Sequence, residues 1–123
     1  MRIGILDDDP AICGLLHETL ERYGHVASVY HTGEDFLKQI IPEKATPALK
    51  PFDAVLIDLC LPAGISGVDA LRYVRLFFPT LPILVISAVD AGDLEFIQEK
   101  FPGVKAFQKP FKLHHLLAAI ETP

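Results

Sequence analysis

Five short apolar runs alternate along the chain with five segments whose apolar residues recur at helical spacing. The runs at 3–6, 52–57 and 83–86 are almost continuously hydrophobic, which is typical of strands covered on both faces. Two more strands are predicted at 25–30 and 104–107. Strands that alternate with helices form a parallel sheet with right-handed crossovers. The pattern therefore predicts an α/β fold, a doubly wound five-stranded parallel sheet.

The intervening helices have recognisable ends. Asp9 and Pro10 are suited to the N-cap and the first helical position, and Gly24 is suited to end that first helix. The helices are predicted at about 10–23, 33–41, 67–78, 94–101 and 113–120. The segment 42–51, PEKATPALKP, has no periodicity and predicts a loop too short to link two domains. We therefore expect a single domain over residues 1–123.

Composition excludes several classes of function. The formal charge is −5 and the basic residues are scattered, so we expect no direct nucleic-acid binding by this domain. No apolar stretch reaches the roughly 20 residues that cross a bilayer. Cys13 and Cys60 lack a metal-binding spacing, and no targeting segment fits before the first strand, so free thiols and a cytoplasmic location are expected.

Polar side chains gather at the predicted strand ends. An open parallel sheet binds its ligands outside the carboxyl ends of its strands, so candidate site residues are expected at these positions. The residues at these positions are Asp7, Asp8 and Asp9 after strand one, Asp58 after strand three, Ser87 after strand four and Lys109 after strand five.

These residue types together suit phosphoryl chemistry. Converging carboxylates repel one another unless protons or a cation compensate them, and Mg²⁺ prefers carboxylates, waters and phosphate oxygens. A lysine and a serine hydroxyl would neutralise and orient a phosphoryl group. Asp58, at the centre, could act as the nucleophile and become an aspartyl phosphate.

Four fragments in order, ILDDDP, VLIDLCLP, ILVISA and FQKPF, make the whole chain resemble a response-regulator receiver domain of bacterial two-component signalling. The resemblance implies a flavodoxin-like strand order of 2-1-3-4-5. It also implies that Asp58 is the phosphoacceptor and that Lys109 pairs with the phosphoryl oxygen. The Lys109–Pro110 bond resembles the family's usual cis peptide.

The resemblance further implies a Mg²⁺ (or Mn²⁺) site. Asp8 and Asp58 would bind the ion directly, Asp7 would act largely through water, and the main-chain carbonyl of Cys60 would add a ligand. Asp9 is left to cap the first helix.

A switch with defined partners also follows from the resemblance. A sensor histidine kinase or histidine phosphotransfer protein would donate the phosphoryl group, docking on the first helix. The phosphate would then pull on Ser87 and Lys109 and bias the fourth and fifth helices and the strand between them, which form the output surface for an output domain or partner protein. A phosphorylation-dependent dimer is compatible with this scheme. The resemblance thus implies a signalling switch and not an enzyme.

The sequence departs from the family pattern at two places. The segment PAGISG, 62–67, is one residue longer than the family spacing, and Gly64 is suited to absorb the insertion. The aromatic residue of the switch is expected at Ala106, whereas Phe107 stands one step later. In a strand that step turns a side chain to the opposite face, so Phe107 is either core, which we favour, or carried back to the switch position by a bulge.

Two other functions are compatible with parts of this pattern. A haloacid-dehalogenase-type phosphatase also forms an aspartyl phosphate, but its general-acid aspartate would stand at Cys60, so it is disfavoured. A degenerate receiver, acting as a phosphorylation-independent interaction module, is the closer alternative. The shifted Phe107 is compatible with it, whereas the complete set of Asp, Ser and Lys side chains favours phosphorylation.

Overall fold

The fold is described from a computed structural model over residues 1–41, 51–61 and 64–121. Its strands are β1 Arg2–Leu6, β2 Val26–Tyr30, β3 Ala54–Asp58, β4 Ile83–Ser87 and β5 Lys105–Gln108. Its helices are α1 Pro10–Arg22, α2 Gly33–Ile40, α3 Gly67–Phe77, α4 Ala91–Lys100 and α5 Leu113–Glu121. The loop predicted at 42–51 lies outside the described residues except for Pro51.

The strands form one parallel sheet in the order β2-β1-β3-β4-β5. The predicted doubly wound, flavodoxin-like fold and its strand order are confirmed. Because β1 and β3 are neighbours and β2 lies outside β1, the order of the strands reverses at β1 and β3. This is where a ligand site of an open sheet is expected.

Helices cover both faces of the sheet. One core cluster packs α2, α3 and α4 against side chains such as Leu6, Val55 and Val85. The other packs α1 and α5 against Ile5 and Ile86 among others. The central strands β3 and β4 are buried along their whole length, which explains why their sequences do not alternate between apolar and polar residues.

Several helix boundaries follow from local capping. The Asp9 carboxylate accepts a hydrogen bond from the amide of Ala11 at 2.9 Å, and Pro10 occupies the first turn, as predicted. Gly24 follows the C-cap residue Tyr23 and has a φ of +87°, a conformation that glycine adopts without a steric penalty.

The prediction of the third strand was wrong at its start. Phe52 and Asp53 precede β3, although the amide of Asp53 still donates to the carbonyl of Arg2 at 2.7 Å. Phe52 instead packs over Gly4, where a Cβ would come within 2.8 Å of the ring. The apolar character of Phe52 therefore reflects burial and not strand pairing.

The last two helices and β5 also differ slightly from the predicted ranges. Helix α4 begins at Ala91 after an Asp90 N-cap, three residues before Leu94, because Ala91, Gly92 and Asp93 carry no large apolar side chain that would mark the first turn. Strand β5 is displaced by one residue, to Lys105–Gln108. Within the described ranges, none of the helices has the length and apolarity that a membrane crossing requires.

Candidate functional site

The carboxyl edge of the sheet brings the predicted side chains together. Asp7 follows β1 directly, Asp58 is the last residue of β3, and Ser87 is the last residue of β4. Lys109 follows β5, and its amide donates to the carbonyl of Ser87 at 2.7 Å. Parallel pairing of β1, β3 and β4 sets these residues side by side although they are distant in sequence.

The three consecutive aspartates have separate environments. Asp7 is fully buried, and its Oδ1 accepts a hydrogen bond from the amide of Asp9 at 2.9 Å. Asp8 is exposed. One carboxylate oxygen from each of Asp7, Asp8 and Asp58 lies within 4.8 Å of the other two, whereas Asp9 is turned toward α1 as its cap. The donor set consists of hard oxygen ligands, which fits a divalent cation such as Mg²⁺.

Lys109 is the cation that compensates the buried carboxylates in this structure. Its Nζ donates to Asp7 Oδ2 at 2.8 Å and to Asp58 Oδ2 at 3.1 Å. Burial by itself lowers the pKa of Lys109, but the hydrogen bonds and charges of the two aspartates outweigh it and raise the pKa. The Lys109–Pro110 peptide bond is cis, as the resemblance implies.

Asp58 is held at both carboxylate oxygens. Its Oδ1 accepts from the amide of Cys60 at 3.0 Å, and its Oδ2 accepts from Lys109. Only 3% of the residue is exposed. Burial raises the pKa of Asp58, the Cys60 amide and Lys109 act in the opposite direction, and the net effect is a raised pKa. The carboxylate is thus fixed in orientation and incompletely compensated.

Ser87 lies in the same pocket but is fully buried. Its Oγ lies 3.4 Å from the amide of Val89 and 3.4 Å from the Sγ of Cys60. The Cys60 side chain therefore lies beside the hydroxyl group that the sequence assigns to the phosphate.

Phe107 packs on the face of β5 that α1 and α5 cover. β5 pairs with β4 in continuous register, with Val85 opposite Ala106 and Ile86 opposite Phe107. Phe107 packs against the cluster of α1 and α5, and Ala106 packs on the opposite face with the cluster that contains α4. These contacts agree with the favoured core interpretation, and the described pairing contains no bulge.

Two features of the site have only weak sequence signals. The thiol of Cys13 donates to the main-chain carbonyl of Asp7 at 3.1 Å, and Nδ1 of His31 lies 3.1 Å from the same oxygen. The carboxylate of Glu34 accepts a hydrogen bond from the amide of Ile65, which follows Asp58 by seven residues. The His31 and Glu34 contacts join elements remote in sequence, so residue spacing does not predict them.

Gly64 has a φ of +74°, the left-handed conformation that a tight loop requires of glycine. This agrees with the role expected of Gly64 in the lengthened loop. Pro62 and Ala63 of the same loop lie outside the described residues.

Comparisons with known proteins agree with this geometry. The sequence model of the response regulator receiver domain matches residues 3–121. The response regulator MprA of Mycobacterium avium is 31% identical over 96% of this chain, and that of Mycobacterium ulcerans is 30% identical over 96%. The match covers 48% and 47% of those relatives, so the chain spans about half their length.

Solved structures show the same fold. The non-phosphorylated HemR receiver domain from Leptospira biflexa is similar with a TM-score of 0.82 at 25% identity, covering 98% of this chain and 90% of that one. The chemotaxis protein CheY4 of Vibrio cholerae has a TM-score of 0.79 at 21% identity, covering 97% of this chain and 94% of that one. With the family match over nearly its whole length, this chain belongs to the response regulator receiver domains of two-component systems.

Proposed function

We propose that Asp58 accepts a phosphoryl group from the phosphohistidine of a sensor histidine kinase or a histidine phosphotransfer protein. The observation that carries the proposal is the buried Asp58 carboxylate, held by the Cys60 amide at 3.0 Å and by Lys109 at 3.1 Å, with Asp7 and Asp8 oxygens within 4.8 Å. Hydrogen bonds at both oxygens restrict rotation of the nucleophile, so less orientational freedom is lost in the reaction.

The transfer is a displacement at phosphorus. A carboxylate oxygen of Asp58 forms a bond to phosphorus, and the bond from phosphorus to the donor's ring nitrogen breaks. The electron pair of that bond stays on the nitrogen, which takes up one proton. Lys109 neutralises charge on the phosphoryl oxygens, and the Ser87 hydroxyl donates a hydrogen bond to one of them.

A divalent cation, Mg²⁺ or Mn²⁺, fits the oxygen donors of this site. Asp8 and Asp58 would bind it directly, Asp7 would act largely through water, and the Cys60 main-chain carbonyl would complete the protein ligands. When bound, the ion supplies positive charge to the oxygens of the transferring group. Asp7 keeps its contact with Lys109 in this scheme, which holds the ammonium beside Asp58.

The phosphohistidine donor is proposed to dock beside α1. A cleft of about 390 Å³ adjoins the site and is lined by Ile12, Leu15, Lys109, Pro110, Phe111 and Leu113. Leu15 is 50% exposed, which leaves apolar area for a partner to bury. Because Lys109 belongs both to the cleft and to the site, a partner bound there would lie next to the phosphorylation site.

The output is proposed to pass through Ser87 and Lys109 to the surface of α4, β5 and α5. Movement of Ser87 toward the phosphate would bias two arrangements of this surface, which an output domain, a partner protein or a second copy of the phosphorylated chain would recognise. We propose that residues 1–123 form one cytoplasmic receiver domain that acts as a switch, not as an enzyme, and does not itself bind nucleic acid.

Intact-mass measurement after incubation with acetyl phosphate and Mg²⁺ tests the proposal. We expect one added phosphoryl group that hydroxylamine removes, because acyl phosphates react with that nucleophile. The adduct should be absent from an Asp58→Asn variant and from a sample containing EDTA.

Absence of the adduct would be followed by trials with histidine kinases as donors, because a small phosphodonor makes no docking contacts. Continued absence would contradict the phosphoacceptor proposal and would favour the phosphorylation-independent interaction module. The displaced Phe107, which leaves Ala106 where the family has its aromatic residue, is the observation that keeps this second function in view.

A further inference from the structure

Glu34 forms a charge-assisted hydrogen bond across the gap between α2 and the loop that follows β3. Its Oε1 accepts from the amide of Ile65 at 2.6 Å. The Ile65 amide and the backbone amide of Glu34 itself hold the pKa of this carboxylate below its usual value of 4.5. Charge-assisted hydrogen bonds of this kind are shorter and stronger than neutral ones, and Glu34 also lies in the first turn of its helix, where a negative charge is favoured.

Two glycines allow this close approach. A Cβ at Gly33 would lie 2.9 Å from the carbonyl oxygen of Ile65, and a Cβ at Gly64 would overlap the carboxylate of Glu34. The start of α2 and the end of the loop are thus packed at backbone distance. Side chains larger than hydrogen at either glycine would separate Glu34 from Ile65.

The contact continues from Ile65 to the phosphoacceptor. Ser66 follows Ile65 and caps α3, accepting from the amide of Asp69 at 3.0 Å. At Gly67, the first residue of α3, a Cβ would overlap the carbonyl oxygen of Asp58 and the Cα of Leu59. The start of α3 therefore rests on the backbone that carries Asp58 and leads into Cys60.

We propose that Glu34 is a positioning residue for the phosphorylation site: by holding Ile65, it fixes the start of α3 against Asp58 and Leu59 and so sets the affinity of the site for Mg²⁺. The inference rests on the proposed function, because it takes Asp58 and the Cys60 carbonyl as ligands of the ion. Glu34 does not contact the reacting atoms and acts through the backbone.

The test compares Glu34→Ala with Glu34→Gln, which keeps an oxygen acceptor but removes the charge. Asp35→Ala is the matched control, because it removes the same charge from the adjacent, exposed residue of α2. Mg²⁺ affinity is measured by calorimetric titration, and the Ile65 and Cys60 amide resonances are followed by NMR in the same samples. Urea unfolding verifies that each variant is folded under these conditions.

For Glu34→Ala we expect Mg²⁺ affinity to fall by about 10-fold, as for other residues that orient metal ligands, together with an upfield shift of the Ile65 amide proton. The Mg²⁺ affinities of Glu34→Gln and Asp35→Ala should stay within about threefold of the wild-type value. Such a change is smaller than the losses typical of residues that orient metal ligands. Saturating Mg²⁺ should restore the phosphorylation rate of Glu34→Ala.

Three results would overturn the inference. Unchanged Mg²⁺ affinity in Glu34→Ala, with the Ile65 resonance shifted, would mean that the hydrogen bond does not position the ligands. Equal losses in all three variants would identify a general charge effect. If the wild type itself binds no Mg²⁺, the proposed metal site is wrong and the inference fails with it. Mg²⁺ binding by the wild type, with unchanged affinity in Glu34→Ala, would overturn the inference alone.

Discussion

The Nζ of Lys109 lies 2.8 Å from the Oδ2 of Asp7, across 102 residues of sequence. Asp7 is fully buried and the side chain of Lys109 is 15% exposed. Through this contact and the one to Asp58, the Lys109 ammonium supplies a positive charge to both buried carboxylates. Lys109 therefore has a structural role in addition to the role proposed in phosphoryl transfer.

Replacing Lys109 with Ala is expected to lower the free energy of unfolding in EDTA by about 3 kcal/mol, because two buried carboxylates lose their partner. Added Mg²⁺ should reduce this loss, since the ion replaces the missing charge. Urea unfolding with and without Mg²⁺ measures both effects. Lys112→Ala, at an exposed position of the following loop, is the control. A loss that Mg²⁺ leaves unchanged would contradict charge compensation as its cause.

An Asp58→Asn variant should show a different pH dependence of stability from the wild type in EDTA. Burial raises the pKa of Asp58 above its usual value of 3.8, so the folded state binds the proton more tightly than the unfolded chain does. The corresponding stability is present below the unfolded pKa and is lost as pH rises through the folded pKa. The wild type should therefore lose stability relative to Asp58→Asn over that window. Parallel pH profiles would contradict the raised pKa.

The location of the site could be predicted from sequence because it depends on strand ends. Short buried strands make Asp58 and Ser87 converge with Lys109 once the sheet is parallel. Periodicity contains no comparable signal for the contact of Glu34 with Ile65, which arises where a helix of one crossover packs on the loop of the next. The start of β3 was misjudged for a related reason, since Phe52 is buried by tertiary packing and not by strand pairing.

The position of Phe107 shows a further limit of sequence reasoning. A one-residue offset from the family pattern fits either a core side chain or a bulged strand, and only the pairing register distinguishes them. With Ile86 opposite Phe107 in an unbroken ladder, the side chain is assigned to the α1 and α5 face. The sequence pattern alone leaves this choice open because both conformations preserve the neighbouring Lys109-Pro110.

Phe107→Ala should destabilise the fold by about 2 kcal/mol. This is less than the loss on truncating a fully buried phenylalanine, because Phe107 is half-buried. Mg²⁺-dependent binding of beryllium trifluoride, a phosphoryl analogue, should be retained, since Phe107 packs in the core and away from the α4 face. Phe96→Ala, at a side chain that is 61% exposed, should change stability by less than about 0.5 kcal/mol. Loss of analogue binding without loss of stability would assign Phe107 to the switch instead.

The two cysteines should differ in reactivity toward iodoacetamide at mildly alkaline pH. Burial, with the charges of Asp7 and Asp9, raises the pKa of the Cys13 thiol from 9.0 to about 11, which lowers its reactive thiolate population by about 100-fold. Cys60 is exposed and should be alkylated first. Peptide mapping over time measures both rates, and a Cys60→Ser variant should retain only the slow reaction. Equal rates at the two sites would contradict the buried environment of Cys13.

Gly67→Ala should damage the site more than its size suggests, because the new methyl group would overlap the main-chain carbonyl of Asp58 and the Cα of Leu59. Backbone atoms cannot move aside as a flexible side chain can, so we expect a loss of about 2 kcal/mol in unfolding free energy. Mg²⁺ binding should also be weaker under conditions in which the variant is fully folded. Gly14→Ala is the control, because Gly14 lies at an exposed position of α1 and a Cβ there meets nothing within 4 Å. Removing this helical glycine should stabilise the protein by about 1 kcal/mol. Urea unfolding and calorimetric Mg²⁺ titration measure the two effects. If Gly67→Ala bound Mg²⁺ as tightly as the wild type, the start of α3 could shift without moving Asp58, and the contact would not position the phosphoacceptor.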